Sequence, residues 1–188
     1  QPITNRVTVY GTARVSGPIT FMHVSDVKNM YILITLTGHP IHSIDEVFFN
    51  DERVDIDANG DVFGRFYGAA VIKKGLGTTA GDADLHDYLQ SELPDLWTVN
   101  HRQEGCAKIL VRLSPDRTVY ATGLPNVSVV LRGKKVYDPR TATTEYSSNA
   151  ALCIRDYLTD SKLLGATAAE VDDTAITAAA NVCDEQVA

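Results

Sequence analysis

The run Met30-Tyr31-Ile32-Leu33-Ile34-Thr35-Leu36 is β-branched, aromatic and apolar on almost every position. A strand with one wet face alternates apolar and polar side chains, so a near-continuous run demands cover on both faces of its sheet. Gly38 and Pro40 then stop it. The surrounding first half has the same character. Arg6-Val7-Thr8-Val9-Tyr10 alternates and predicts a strand. Ile41 to Phe49 forms a second apolar stretch, ending in the turn signal Asn50-Asp51. Between Val54 and Phe63 the pair Asn59-Gly60 is a strong hairpin signal, because both central residues of a type I′ turn need positive φ; strands are expected on both sides of it.

From Lys73 the pattern changes. Lys73 to Gly81 reads as a glycine-rich loop, and Asp82 to Leu93 as a short helix with Leu85, Tyr88 and Leu89 at i, i+3 and i+4. Asp82 or Asp84 is available to cap it, and Pro94 ends it. Trp97 is expected to anchor this insertion by burying its ring. Strand character resumes at Cys106 to Leu113, with Ala107, Ile109, Val111 and Leu113 on one face and Lys108 and Arg112 on the other. A further strand runs from Val127 towards Leu131, and Gly133 marks a bulge or turn before Val136 and Tyr137.

The last forty residues are helical in pattern. Ser147 and Ser148 are candidate caps for a helix carrying Ala151, Ile154 and Leu158. Thr167 and Glu170 have capping-box spacing before a final helix with Val171, Ala175, Ala178 and Val182 on one stripe. Small side chains on that stripe permit close backbone approach, so its Ala178 face is expected to meet a partner. The fold class expected is therefore α+β: a mainly antiparallel sheet, barrel- or sandwich-like, with a helical insertion near 76–104 and two C-terminal helices. The expected organisation is a β-rich domain over 1–146 and a helical extension over 147–188 leading into the next domain of a longer protein. The start at Gln1 and the end inside a helical pattern fit such a piece.

Composition bounds function. Of 188 residues, 44% are hydrophobic and 22% charged, and 24 acids against 17 bases give a formal charge of −7. That is a globular composition, and the acidic balance disfavours binding nucleic acid over the whole surface. No apolar run approaches the roughly 18–20 residues that span a bilayer, and no signal-peptide pattern opens the chain. Cys106, Cys153 and Cys183 are odd in number, far apart and set among apolar neighbours, so a disulfide framework or zinc ribbon is disfavoured and buried thiols are expected.

Motif by motif, chemistry is sparse. Asp55-x-Asp57-x-Asn59-Gly60-Asp61 resembles the opening of a calcium loop, but its twelfth position is Phe66 where a bidentate Glu is needed. A hairpin is the reading adopted, with calcium the alternative. His39 and His42 flank Pro40 and read as a turn with exposed imidazoles rather than a metal pair. Gly-x-Ser-x-Gly is absent, and the pairs Asp45-Glu46 and Asp51-Glu52 read as solvated edges. Arg132-Gly133-Lys134-Lys135 with Arg140 is the one basic concentration; a solvated strand edge is the adopted reading and a phosphate contact the alternative. No catalytic, cofactor-binding or metal residue is assigned.

One ordered set of segments goes further: Gly123-Leu124-Pro125-Asn126-Val127-Ser128, then Leu131-Arg132-Gly133-Lys134-Lys135-Val136-Tyr137-Asp138-Pro139-Arg140, then Ser148-Asn149-Ala150-Ala151-Leu152-Cys153-Ile154-Arg155-Asp156-Tyr157-Leu158. These resemble the tail-tip attachment proteins of long-tailed bacteriophages, also called host-specificity or central tail-hub proteins. Gly17-Pro18-Ile19, Leu36 to Pro40, Ile44 to Asp51 and Ala178 to Glu185 agree in the same order, and agreement is weakest between Lys73 and His101. The resemblance implies a structural, non-enzymatic virion component of a phage or prophage, made in the host cytoplasm. It implies a trimeric hub closing the tail tube, in contact with other tail-tip and baseplate proteins. Adsorption to a host receptor would use parts outside this piece, and contact with DNA would be transient at most. An acidic wall along such a passage would repel phosphates. Two other functions remain in view: a tail-associated cell-wall glycan hydrolase, needing two facing carboxylates, and a carbohydrate-binding module, for which Trp97 with Tyr88 is the candidate platform.

Overall fold

The computed structural model describes residues 5–185. Two four-stranded antiparallel sheets carry the fold. The first has β1 (Thr12–Val15), β4 (Ser43–Phe49), β5 (Glu52–Val54) and β8 (Val127–Arg132) in the order β1-β8-β4-β5. The second has β2 (Ile19–Val24), β3 (Met30–Thr35), β6 (Ala70–Gly75) and β7 (Lys108–Leu113) in the order β2-β3-β7-β6. Ile44, Val47 and Phe49 of β4 and Val129 and Leu131 of β8 meet Ile32 and Ile34 of β3 and Ile109 and Val111 of β7 in one buried cluster. The molecule is thus a sandwich of open sheets, an α+β fold without a closed barrel. Each aliphatic side chain fully buried there is worth about 1.5–3 kcal/mol of transfer free energy.

The opposite face of the second sheet is covered too. Tyr31 and Leu33 of β3 and Leu110 of β7 pack under α1 (Ala83–Glu92) with Leu85, Leu89, Leu93 and Trp97. This third layer explains the near-unbroken apolar run: even and odd positions of β3 enter different cores. The helix and the 3₁₀ turn Val99–His101 both lie between β6 and β7, so the insertion is a cap folded onto the sheet that its flanking strands help to build.

A third, smaller cluster joins Val136 of β9 (Lys135–Asp138) to Ala151 and Leu152 of α2 (Ala150–Thr159) and Ala180 of α3 (Asp173–Asp184). The hairpin of β9 with β10 (Thr143–Tyr146) carries this helical pair.

Several local expectations change in the structure. Arg6 to Tyr10 joins no strand ladder; its backbone is held by Gly38 N–H donating to Val7 O, Lys134 N–H to Val9 O, and a histidine described below. Asn59-Gly60 does turn, with Gly60 at φ +87°, but only an isolated bridge between Ile56 and Val62 brackets it. The regular two-residue hairpin lies instead at Asn50 and Asp51, both at positive φ (49° and 68°), between β4 and β5. Neither Ser147 nor Ser148 caps α2. Asn149 does, its side-chain oxygen accepting from Ala151 and Leu152 N–H. The Thr167–Glu170 capping box forms on a separate 3₁₀ turn, Ala168–Glu170, and Asp172 caps α3. Val171 consequently falls outside the helix that it was expected to open.

Candidate functional site

One polar arrangement is fully internal. Lys108 and Asp82 are 0% and 2% exposed, with Nζ 2.6 Å from Oδ2. The same ammonium reaches the carbonyls of Arg102 at 2.7 Å and Gln103 at 3.2 Å, and Asp82 Oδ1 accepts Gly77 N–H at 2.8 Å. Every group in this pair therefore has partners, which is what a buried ion pair requires to be tolerated. The arrangement ties β7, the head of α1 and both ends of the insertion together. Asp82 stands at the N-cap position of α1 but makes no cap bond, because its carboxylate is turned to Lys108. The expectation that Lys108 shares a face with Arg112 holds along the strand, yet that face is roofed by residues 76–104.

Next to it, His86 and Trp97 are buried side by side. Trp97 is 2% exposed, and its indole N–H donates to His86 Nδ1 at 3.1 Å. Phe21 meets the Trp97 ring edge-on with centroids 5.2 Å apart. Trp97 is thus an anchor, as its size suggested. It cannot serve with Tyr88 as an exposed sugar-stacking platform: Tyr88 is half-buried, with Lys73 Nζ 5.1 Å from its ring centre. The carbohydrate platform is corrected on that ground.

The histidines of the Pro40 turn separate. His42 is exposed, but His39 is buried, accepting Val9 N–H at Nε2 (2.9 Å) and lying 2.7 Å from Pro40 O through Nδ1. His39 is therefore a backbone clamp, not an exposed imidazole. Burial lowers its pKa, the Pro40 carbonyl opposes that, and Lys134 adds to the lowering.

The basic segment is not a free solvated edge either. Arg132 pairs with Asp45 at 2.9 Å, and Lys134 lies 2.5 Å from both Asp156 and Asp160. Arg140 binds Asp138 and Asp184. Tyr10 donates its hydroxyl to Asp156, and burial followed by that bond pushes the phenol well above its ordinary value. The Arg132 pair joins β8 to β4, while the Lys134 and Arg140 pairs fasten α2 and α3 to the segment around β9, so these cations have partners within the chain. Lys135 is exposed, and no ion pair involves it among the described residues.

Carboxylates are distributed in the same way. Glu46 meets Arg53, Asp51 meets Arg14, and Glu52 meets Arg65. Asp57 and Asp84 both line a groove of about 170 Å³. Asp57 Oδ1 there accepts the amides of Asn59 and Asp61, while Asp84 pairs with Lys73. Asp57 is thereby the organiser of its turn. Among the described residues no group of three or more His, Cys, Asp or Glu side chains is placed to hold a metal ion. Cys106 and Cys153 are half-buried and Cys183 is exposed, which corrects the expectation of three buried thiols. No helix among the described residues is long and apolar enough to cross a membrane.

The helical pair presents apolar side chains to solvent. On α3, Ile176 and Ala180 face the third core while Ala175, Ala178 and Val182, the last 64% exposed, point to solvent. Ile154 and Tyr157 of α2 are exposed as well, at 56% and 50%. The stripe read from the sequence is thus the outward one, and the inward one runs through Ile176 and Ala180. Asn149 was missed as a functional tie: besides capping α2, its amide donates to Ala180 O and to Asp184 at 2.8 Å each, joining the start of one helix to the end of the other.

No protein-family model matches the chain, and no curated protein matches it. Among solved structures the chain is similar to one from a "Virion of native gene transfer agent (GTA) particle", at 12% identity and a TM-score of 0.39. The likeness covers 66% of this chain and 25% of that virion chain, and at this level it carries no functional argument.

Proposed function

We propose that this chain is a non-enzymatic structural component of a phage-like virion, acting through surfaces that mate with neighbouring subunits, with the central hub of a tail tip as its place. The ordered sequence resemblance over Gly123 to Leu158 carries the reading. The physical organisation agrees with it. Charged side chains are spent on internal fastening, as at Lys134 with Asp156 and Asp160, while the helical pair leaves apolar side chains outward. A virion part must keep its shape under load and present complementary patches, which is the division of labour seen here. Trimer formation, other tail-tip proteins as partners, and a host receptor bound elsewhere in a longer protein belong to the same proposal.

Immunogold labelling of purified particles with an antibody against this chain tests the reading. Label at one end of the tail is expected. A chain made by the cell but missing from purified particles overturns it. Against the glycan-hydrolase alternative stands the engagement of Asp57 and Asp84 with a turn and with Lys73; a peptidoglycan zymogram without a clearing band is the expected result.

A further inference from the structure

We propose that His86 and Trp97 form an acid-released latch that holds the α1 cap on the outer face of the second sheet. Three observations carry it. First, His86 Nδ1 accepts the Trp97 indole N–H at 3.1 Å, so the neutral ring carries its proton on Nε2. A second proton must go on Nδ1, where it would face the indole N–H donor head-on. Second, Nε2 is buried with no hydrogen-bond partner, and the Arg102 backbone carbonyl, which would favour the charged ring, already accepts Lys108 Nζ at 2.7 Å. Third, the charged groups facing His86 are Lys108 from β7, Arg102 from the end of the insertion and Asp82 at the head of α1. Two cations thus oppose a third charge, and the one carboxylate is already bound to Lys108 at 2.6 Å.

Protonation therefore removes the Trp97 hydrogen bond and adds repulsion under the cap. Burial is the first cause of a lowered His86 pKa, Lys108 adds to it, and Asp82 opposes it. Because the closed cap disfavours the charged ring, acid favours the open form, in which His86 titrates near its ordinary 6.5. The latch is whole above that pH and weakens progressively below it. Opening uncovers Tyr31, Leu33 and Leu110, an apolar surface whose exposure rises as the pH falls.

Native-state amide exchange of the whole chain at pH 7.5 and 5.0, corrected for intrinsic rates, reads the latch. Amides of 83–97 are expected to be less protected than those of β3 and β7 at both pH values, and to lose protection at pH 5.0 by up to about tenfold for each pH unit by which the folded His86 pKa is depressed. His86→Gln is expected to abolish the difference. His101→Gln is expected to keep it, since His101 also touches the Trp97 ring (centroids 5.4 Å apart) but is exposed. Cap amides as protected as those of β3 and β7 at pH 5.0, an unchanged response in His86→Gln, or its loss in His101→Gln overturns the latch. Should His86→Gln fail to fold, the imidazole carbon resonance of His86 in the unaltered protein decides: titration below 6.5 supports it, and titration at or above 6.5 sinks it.

Discussion

At the scale of single residues, the buried charge Lys108 is the most consequential side chain in the molecule. Removing one partner of a buried pair strands the other without solvent, a loss of about 3–5 kcal/mol. Lys108→Met should therefore lower the unfolding free energy by that amount, and adding Asp82→Asn should recover part of it, since a neutral amide can still accept Gly77 N–H. Chemical denaturation of the three proteins checks this. His39 gives a pH signature of its own. Its folded pKa lies below the unfolded value, chiefly through burial, so the folded state binds fewer protons than the unfolded state near that value. The stability it contributes is complete above about pH 6.5 and is lost as the pH falls. Urea midpoints measured at pH 7.5 and 5.0 should drop less for His39→Gln than for the unaltered chain. Neither role was legible in the sequence. Lys108 sits in an alternating strand where a solvent-facing lysine is the ordinary reading, and its roof is made by residues 76–104, about which strand periodicity says nothing. His39 is clamped by a residue 30 positions away, and such a contact leaves no local trace.

At the scale of elements, regular patterns were readable and their ends were not. The double-faced run of β3, the insertion helix, the Cys106–Leu113 strand and both C-terminal helices stand where hydrophobic spacing put them. The caps moved by one to five residues because Ser147, Ser148, Thr167, Asn149 and Asp172 are all competent acceptors, and tertiary contacts choose among them. Asn149 won because its amide also reaches Ala180 O and Asp184 across the helical pair. Asn149→Ala should remove a cap worth about 1–2 kcal/mol and, beyond that, loosen α3 more than α2, since α3 is held by few buried side chains. Amide exchange resolved by residue checks the asymmetry; equal loosening of both helices would reduce Asn149 to a cap alone.

At the scale of the whole molecule, a sandwich carries a helical cap on one side and a helical pair on the other, and the proposed structural role puts its action on contact surfaces. The fold class was legible because apolar periodicity reports burial, whichever neighbour supplies it. The candidate surface was half legible: the Val171–Val182 stripe was seen, but periodicity cannot say whether an apolar face turns towards the chain's own core or away from it. Here Ile176 and Ala180 take the inward side and Ala175, Ala178 and Val182 the outward one. If the outward side is a mating surface, charging it must separate folding from assembly. Ala178→Glu replaces a good helix former by another at an exposed position, so the stability of the isolated chain should change by no more than about 0.5 kcal/mol. In particles, the carboxylate would be forced into an apolar contact without a partner, and burying an unpaired charge is prohibitive. Cells carrying the substitution should therefore make folded chain at normal level and release few or no particles containing it. A polar exchange at Thr174, an exposed and already polar position in the first turn of the same helix, should leave particle numbers unaltered. Particle counts equal to those of the unaltered chain, with Ala178→Glu incorporated, would show that this face remains in water throughout and that the mating surface lies elsewhere.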